Sequence, residues 1–596
     1  MPRSPAPLAV FVLFFREKQR SLNVLSRQAR RVCDPDDPLY GCYFTRARIA
    51  GLVSPSSGAI DRCRRWFTRR GLRFETTRHP QVCWATTPLT NVGRVFGRES
   101  EAWLRDGGLT AARHLWPLPD AIGGHLKSIS ATSVHSGHLS RLIKGIAPSA
   151  AARPTASASR PRASAAAGMT PGDIRAIYNF PPEWTGKGET IGLLNLGGRI
   201  DQDDLLAFWR RHGIDRSPPE MVDLPGAAQG GFLGQLEPSM GAEWIGAMAP
   251  DARLIVYNID YRAVADPWVA FLSAAIAPGG AGRRLTVLVS TWSLPERTYF
   301  ARHGRSVFAD LLEQAAAAGI TFVAASGDWG VYDGRPSTRI YDRDVADAPW
   351  PHGVFPSVED YVLSVGGTMI TSRDPLTELA WSGPLPPSEE LRAAMPFLRL
   401  ATSGGFSEDI DVPWWQRDTL RPRGTPRHYR RSMNLPAVLP TGRGYPDVAL
   451  MAQGAAIAHS DEWGLASVGY EAIVNGTRIS WAGGTSVAAP IWAAIVACMN
   501  EARRARSLPR AGFVNPLLYR LAASTAGRLP FRAVTVGDSD VELRVLDGQG
   551  QPDRYTLGGY SAASGWDPVT GLGVPDVGNL IDASLRHRRG TRGRMR

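Results

Sequence analysis

The chain lacks a histidine pair suited to drive a nucleophile. Of its 11 histidines, His212, His303 and His352 precede a glycine, and none of these has a second histidine two residues further on. The first strand expected after Met169, ending Leu193-Leu194-Asn195-Leu196-Gly197-Gly198, closes without an aspartate. A histidine-based triad is therefore not expected. Cysteine is scarce as well. Four of the five (Cys33, Cys42, Cys63, Cys83) fall early, Cys498 stands alone, and none has Cys-x-x-Cys spacing, which excludes a zinc ribbon and a dithiol redox motif. Two disulfides within the early group and free buried thiols both remain open. No apolar run reaches the ~20 residues that cross a bilayer, so no membrane span is expected. Zinc-finger spacings and RNP-type motifs are missing, which argues against a nucleic-acid partner despite a net charge of +13.

Acidic residues are thin only in the first part. Residues 1–168 carry 26 Lys/Arg against 10 Asp/Glu, a net of +16, whereas the remainder carries 42 against 45. Six of those late positives are arginines between Arg586 and Arg596, which leaves the body between acidic. Opposite signs predict attraction in cis between the two parts. The length of 596 residues, 43% hydrophobic content, 62 Gly and 46 Pro describe a loop-rich globular chain of more than one domain.

The apolar run Leu8 to Phe15 has one preceding charge, Arg3, and no small-residue cleavage site after it, so it fits a buried strand better than a signal core. A helix over about 18–31, turn chemistry at Asp34-Pro35-Asp36-Asp37-Pro38, a helix near 58–70, strands near 72–77 and 81–86 and a helix near 88–97 make a small α+β unit. From Ile143 to Gly168 the composition turns to Ala, Ser, Pro and Arg, too poor in large apolar residues to bury itself, which predicts a flexible, cleavable linker. After Met169, strands over Thr190–Leu196, Arg253–Tyr257, Leu285–Ser290, Thr321–Ala325 and Tyr361–Val365 alternate with helices near 201–212, 240–248, 267–277 and 306–318. That alternation predicts a doubly wound, mostly parallel sheet with its site at the strands' carboxyl ends.

One turn stands out in that frame. Gly483-Gly484-Thr485-Ser486-Val487-Ala488-Ala489-Pro490 follows a β-prone run and opens an apolar helix. It would present Ser486 at a helix N-terminus, where open N–H groups and the dipole favour a developing oxyanion, with glycines that let a substrate backbone approach. An ordinary serine near a helix cap is the plainer alternative.

The ordered series of motifs decides between them. Thr170-Pro171-Gly172-Asp173 onward, Ser326-Gly327-Asp328, Gly404-Gly405-Phe406-Ser407, Tyr445-Pro446-Asp447, the Ser486 turn and Gly565-Trp566-Asp567-Pro568-Val569-Thr570-Gly571 resemble, in order, the sedolisins, the serine-carboxyl peptidases of the kumamolisin type. Leu8–Phe15 with Asp34-Pro35 and Pro38-Leu39-Tyr40-Gly41 resembles the opening of that family's prodomain. The resemblance implies a subtilisin-like fold behind a small α+β, ferredoxin-like prodomain. It implies Ser486 as nucleophile, Glu237 as general base and Asp328 as the oxyanion group, with Trp292 near the base. A carboxylate base suits acid conditions, and a carboxylic acid donates to an oxyanion only while protonated. Taken alone, Glu237 before Pro238 reads as a helix-N-terminal acid and Asp328 as a turn aspartate.

Three departures accompany the match. The family's second carboxylate, four residues after the base, falls on Gly241; Glu243 is turned away around the helix and cannot replace it easily. Asn195 stands where the family has an outer glutamate. The family's calcium site keeps Asp567 and the carbonyls of Val534, Ala563 and Gly565 but has Ala533 in place of an aspartate, so one weakened calcium site is expected unless Asp538 or Asp540 moves in. The expected organisation is a prodomain over 1–143, a cleavable linker over 144–168, a peptidase domain over 169–586 and a basic tail over 587–596. The expected function is an attenuated, acid-acting serine endopeptidase made as a zymogen, with polypeptide substrates, its own prodomain as a cis partner and a location outside the cytoplasm. A pseudopeptidase that binds peptides or a protein is the second reading.

Overall fold

Near-continuous apolar strands form a sheet covered on both faces. The computed structural model describes residues 7–18, 24–105, 116–134, 168–198, 200–224, 232–260, 264–279, 285–332, 351–386, 388, 397–421, 427–454, 456–458, 465–524, 527–546 and 552–587. The expected linker, except for Gly168, and the basic tail, except for His587, lie outside them. The central sheet runs in the order Leu376–Ala380, Val362–Arg373, Thr321–Ala325, Val287–Ser290, Thr190–Leu196, Arg253–Ile259, Glu220–Asp223, and Val448–Gln453 also pairs with Val362–Arg373. All its pairings are parallel except that of Leu376–Ala380. Every residue of Thr190–Leu196 is buried, as a strand covered on both faces requires.

The winding reverses at this strand. From Thr190–Leu196 the chain passes outward to Glu220–Asp223, back to Arg253–Ile259, and then to Val287–Ser290 on the opposite side. Loops leaving the carboxyl ends of such neighbours diverge and open a crevice. Two apolar helices lie beneath it: Phe232–Met248, with Pro238 inside, and Thr485–Ala505, with Pro490 inside. The second is long and apolar enough to cross a membrane by composition, yet its most apolar stretch is wholly buried in the core.

The N-terminal unit is a four-stranded antiparallel sheet in the order Arg73–Thr76, Val82–Pro88, Leu8–Phe15, Leu126–Val134. Helices cross over between its first and second strands and again between its third and fourth, which is the ferredoxin-like connection. The strand Leu126–Val134 has no counterpart among the expected elements because its serines and lysine dilute the apolar pattern. The expected helix over 18–31 is seen as Val24–Cys33. All five cysteines are free thiols, which settles the disulfide alternative.

The two parts meet along the helix Ser306–Ala317, but charge attraction is a small part of the contact. Val12, Phe14, Leu25, Phe44 and Val82 share one apolar core with Leu288, Leu311 and Phe322 of the sheet unit. Hydrogen bonds supplement it: Phe44 N–H to the Ala317 carbonyl (2.8 Å), Ser26 Oγ to Glu313 Oε2 (2.8 Å), and His79 Nε2 with Gln314 Oε1 (3.1 Å). Among the described residues the ion pairs that cross are Lys127–Asp310 and Arg520–Asp36. Most of the surplus arginines lie elsewhere.

Candidate active site

The turn at Ser486 is built by the protein's own close contacts. The strand Thr477–Ala482 ends, Gly484 takes φ +84° as the N-cap, and the helix starts at Thr485, which makes Ser486 its second residue. A Cβ on Gly484 would lie 2.4 Å from Asp328 Oδ2, and one on Gly483 would lie 2.4 Å from the Ala452 carbonyl oxygen. The glycines are thus required by Asp328 and by the neighbouring strand, not only by an approaching substrate.

Asp328 sits in the turn after a buried central strand. Thr321–Ala325 ends, Ser326 donates its N–H to Val365 O, and the turn brings the Asp328 carboxyl over the helix N-terminus. Its Oδ1 accepts from both Thr485 N–H (2.8 Å) and Thr485 Oγ (2.7 Å). Thr485 Oγ in turn accepts from Gly327 N–H (3.1 Å), so one hydroxyl ties the two turns together. Burial pushes the Asp328 pKa up, and the Thr485 donors hold it back. With Oδ1 occupied by two donors, a proton on this carboxyl belongs on Oδ2. Thr485 belongs to the motif noted in the sequence, yet nothing in the sequence gave it a part to play.

Glu237 sits six residues into the helix Phe232–Met248, not at its N-terminus, so the helix-end reading of this residue is corrected. Burial raises its pKa to about 7; the Ser486 and Thr291 hydroxyls lower it, and the Asp328 charge raises it. Glu237, Ser486, Asp328, Thr291 and Trp292 line a single cavity of about 160 Å³. Trp329, Trp381, Leu400, Met240 and Trp481 supply apolar walls. Gln453 closes one side: Trp381 Nε1–H donates to its Oε1 (2.9 Å) and its Nε2 donates to Pro384 O (2.7 Å), so that wall is uncharged. An apolar cavity with a few convergent polar groups and raised carboxyls is the common form of a binding site.

The departures take concrete form. A Cβ at Gly241 would touch Leu193 Cδ atoms at 3.4 Å and Pro490 Cγ at 3.6 Å, ordinary contact distances in an apolar setting. Glu243 is wholly buried elsewhere, its Oε1 accepting from Ile473 N–H (2.9 Å), and so offers nothing to Glu237. Asn195 spends its amide on the Asn258 Oδ1 (2.8 Å) and the Gly198 carbonyl.

At the expected calcium position the Asp567 carboxylate is engaged by donors of its own loop. Asp567 Oδ1 accepts from the N–H groups of Val569 and Thr570 (both 2.8 Å), and Oδ2 accepts from Ala563 N–H (3.2 Å) and Thr570 Oγ (3.0 Å). Four donors occupy the carboxylate, burial raises its pKa to about 7, and Ala533 contributes no oxygen from its side chain. Each alternative has one oxygen engaged: Asp540 Oδ1 accepts from Gly559 N–H (2.7 Å) and Ser432 Oγ, while Asp538 Oδ1 accepts from Asp540 N–H (3.1 Å). Calcium requires six or more oxygens with carboxylates among them. The loop is closed by its own donors instead.

Comparison with known proteins matches these parts. The family described as the Pro-kumamolisin activation domain matches residues 7–134. Kumamolisin of Bacillus sp. (strain MN-32) is 29% identical over 440 residues, covering 72% of this chain and 65% of kumamolisin, so the alignment spans just under two thirds of that relative. Tripeptidyl-peptidase 1 of Bos taurus is 26% identical over 589 residues, covering 96% of this chain and 90% of the relative. A solved structure of Pseudomonas sedolisin (serine-carboxyl proteinase), complexed with two molecules of pseudo-iodotyrostatin, is similar with 22% identity and a TM-score of 0.49 over 70% of this chain and 98% of that one.

Proposed function

The chain belongs to the sedolisin family of serine peptidases, and from that premise we propose that it is a zymogen-type serine-carboxyl endopeptidase of attenuated activity. The observation that carries the reading is the meeting of Ser486, Glu237 and Asp328 in one cavity at the switch point of the sheet. Ser486 Oγ attacks the peptide carbonyl carbon while Glu237 takes its proton. The carbonyl oxygen becomes an oxyanion that accepts a hydrogen bond from Asp328 Oδ2–H at the helix N-terminus. Glu237 then hands the proton to the departing amine as the C–N bond breaks. Water repeats the sequence on the acyl-enzyme, with Glu237 again as base.

Both carboxyls titrate as one system. The working form has a single proton, on Asp328, with Glu237 ionised. Protonating both removes the base, and ionising both removes the oxyanion donor. Burial raises both groups and the Asp328 charge raises Glu237 further, to about 7, so the base is increasingly protonated as pH falls through that value and the acid limb belongs to Glu237. Asp328→Asn is expected to erase the alkaline limb of kcat/KM, because an amide at that position donates at any pH while its oxygen keeps both Thr485 bonds. A limb that persists unchanged in the asparagine variant would assign it to another group.

Residues 7–134 serve as an activation domain held on the helix Ser306–Ala317, and the segment before Gly168 is cut on maturation. An unfolded polypeptide outside the cytoplasm is the substrate class this suits. The decisive experiment compares acid-matured protein with Ser486→Ala on unfolded protein and on a tripeptide amide. A fall of at least ~10⁴-fold is expected, together with loss of linker cleavage. Equal background hydrolysis by both proteins would instead favour the peptide-binding pseudopeptidase.

A further inference from the structure

The base lacks the second carboxylate of the family pattern, and one hydroxyl on the adjacent strand end is placed beside it. We propose that Thr291 is a positioning residue that orients Glu237 in place of that carboxylate; the inference rests on the peptidase reading above.

Thr291 is the first residue after the strand Val287–Ser290, which forms one side of the switch point. Its neighbours are pinned: Ser290 Oγ donates to Trp292 O (3.1 Å) and accepts from Trp268 Nε1–H (3.2 Å). Thr291 is 7% exposed, and its Oγ1 is shielded from solvent without a hydrogen-bond partner. Glu237 Oε1 is likewise shielded and unpartnered, and both residues line the same cavity. A hydroxyl that can rotate to donate and a carboxylate oxygen that needs a donor are complementary, and burial disfavours leaving either alone.

The other candidates fall away by position. Ser486 is the group whose proton Glu237 must remove, so it cannot also hold the second carboxylate oxygen through the reaction. On the Gly241 side the neighbours are Leu193 and Pro490, which offer no donor. Asn195 donates to Asn258 and Gly198. Trp292 Nε1–H is the competing donor, since it too is buried without a partner. The Thr291 hydroxyl favours the ionised form of Glu237, as a bond to the base would.

The test measures kcat, KM and their pH dependence for wild type, Thr291→Val, Thr291→Ser, Trp292→Phe, Gly241→Asp and the double variant Thr291→Val/Gly241→Asp, with thermal midpoints alongside. Valine should lower kcat about 10- to 100-fold with KM within about threefold, and serine should restore it. Because the hydroxyl lowers the pKa of the base, its loss should move the acid limb to higher pH. With Asp at 241 the valine penalty should shrink below about threefold, since two groups that do one task are not additive. An equal penalty in both backgrounds, no penalty, or a penalty that follows Trp292→Phe instead would overturn the proposal. So would an inactive wild type revived by Gly241→Asp, which leaves the peptidase reading standing. Inactivity of both would remove that reading and the inference with it.

Discussion

Glu237→Gln is expected to lower kcat by about 10⁴-fold, to within reach of the floor set by Ser486→Ala. Glutamine keeps the shape of the side chain in its helix but cannot accept the Ser486 proton at any pH. The residual rate should therefore lose its acid limb, and the double variant with Ser486→Ala should be no slower than the worse single one, because nucleophile and base act as a unit. Steady-state kinetics on matured protein, followed from strongly acid to mildly alkaline conditions, check this. A fall of less than about tenfold with the acid limb intact would move the base to another residue.

The same variant carries a stability signature of definite sign. The folded-state pKa of Glu237, about 7, lies above its ordinary 4.5. Below that lower value both folded and unfolded chains hold the proton and the carboxyl is neutral toward folding. Between the two values the unfolded chain releases a proton that the folded one keeps, so stability falls as pH rises, and the loss is complete above about 7. Glutamine removes that dependence. The thermal midpoint of Glu237→Gln should thus gain on wild type across this window while activity collapses. Stability and catalysis pull on this carboxyl in opposite directions.

Gly241→Asp is the second large effect, and its direction is upward. Position 241 lies one helical turn from Glu237 on the same face, and a side-chain stub there meets Leu193 and Pro490 only at ordinary contact distance. The new carboxyl would enter an apolar setting and share a proton with Glu237. In subtilisin, the aspartate that orients the catalytic base is worth roughly 3 × 10⁴ in kcat. Part of that orientation is already supplied here, so an increase of about 10- to 10³-fold is expected. A second carboxyl also raises the pKa of the base, which should carry the acid limb upward. Unchanged kcat in a folded variant would show that orientation of Glu237 does not limit the wild type.

What could be learned from the residues alone follows the physics of each. Thr190–Leu196 and Thr321–Ala325 were legible to the residue because buried parallel strands are continuous apolar runs bounded by polar turns. Ser486 stood out because its glycine-rich turn opens an apolar helix, whereas Asp328 taken alone is an ordinary turn aspartate and its role came from the resemblance. Glu237 was placed by resemblance, but its position inside the helix was misjudged, since Pro238 suggested a first turn and the helix continues through it. Thr291 and Thr485 were invisible as site residues: a threonine at a strand end has no spacing or charge to mark it, and only the fold shows which groups it faces. The fate of Asp567 was equally hidden, because four short-range donors on one loop leave no trace in composition.

Met169 forms a bridge to Tyr470, donates its N–H to Gly469 O (2.8 Å) and accepts from Glu471 N–H (3.0 Å). Gly469 is itself part of the cavity wall. The carboxyl end of the linker is therefore moored at the rim of the cleft that is proposed to cut it. Enzyme and first substrate never have to find each other, so dilution has no purchase on the encounter. Under the proposed function, maturation is then a first-order event internal to each molecule, with a rate independent of protein concentration.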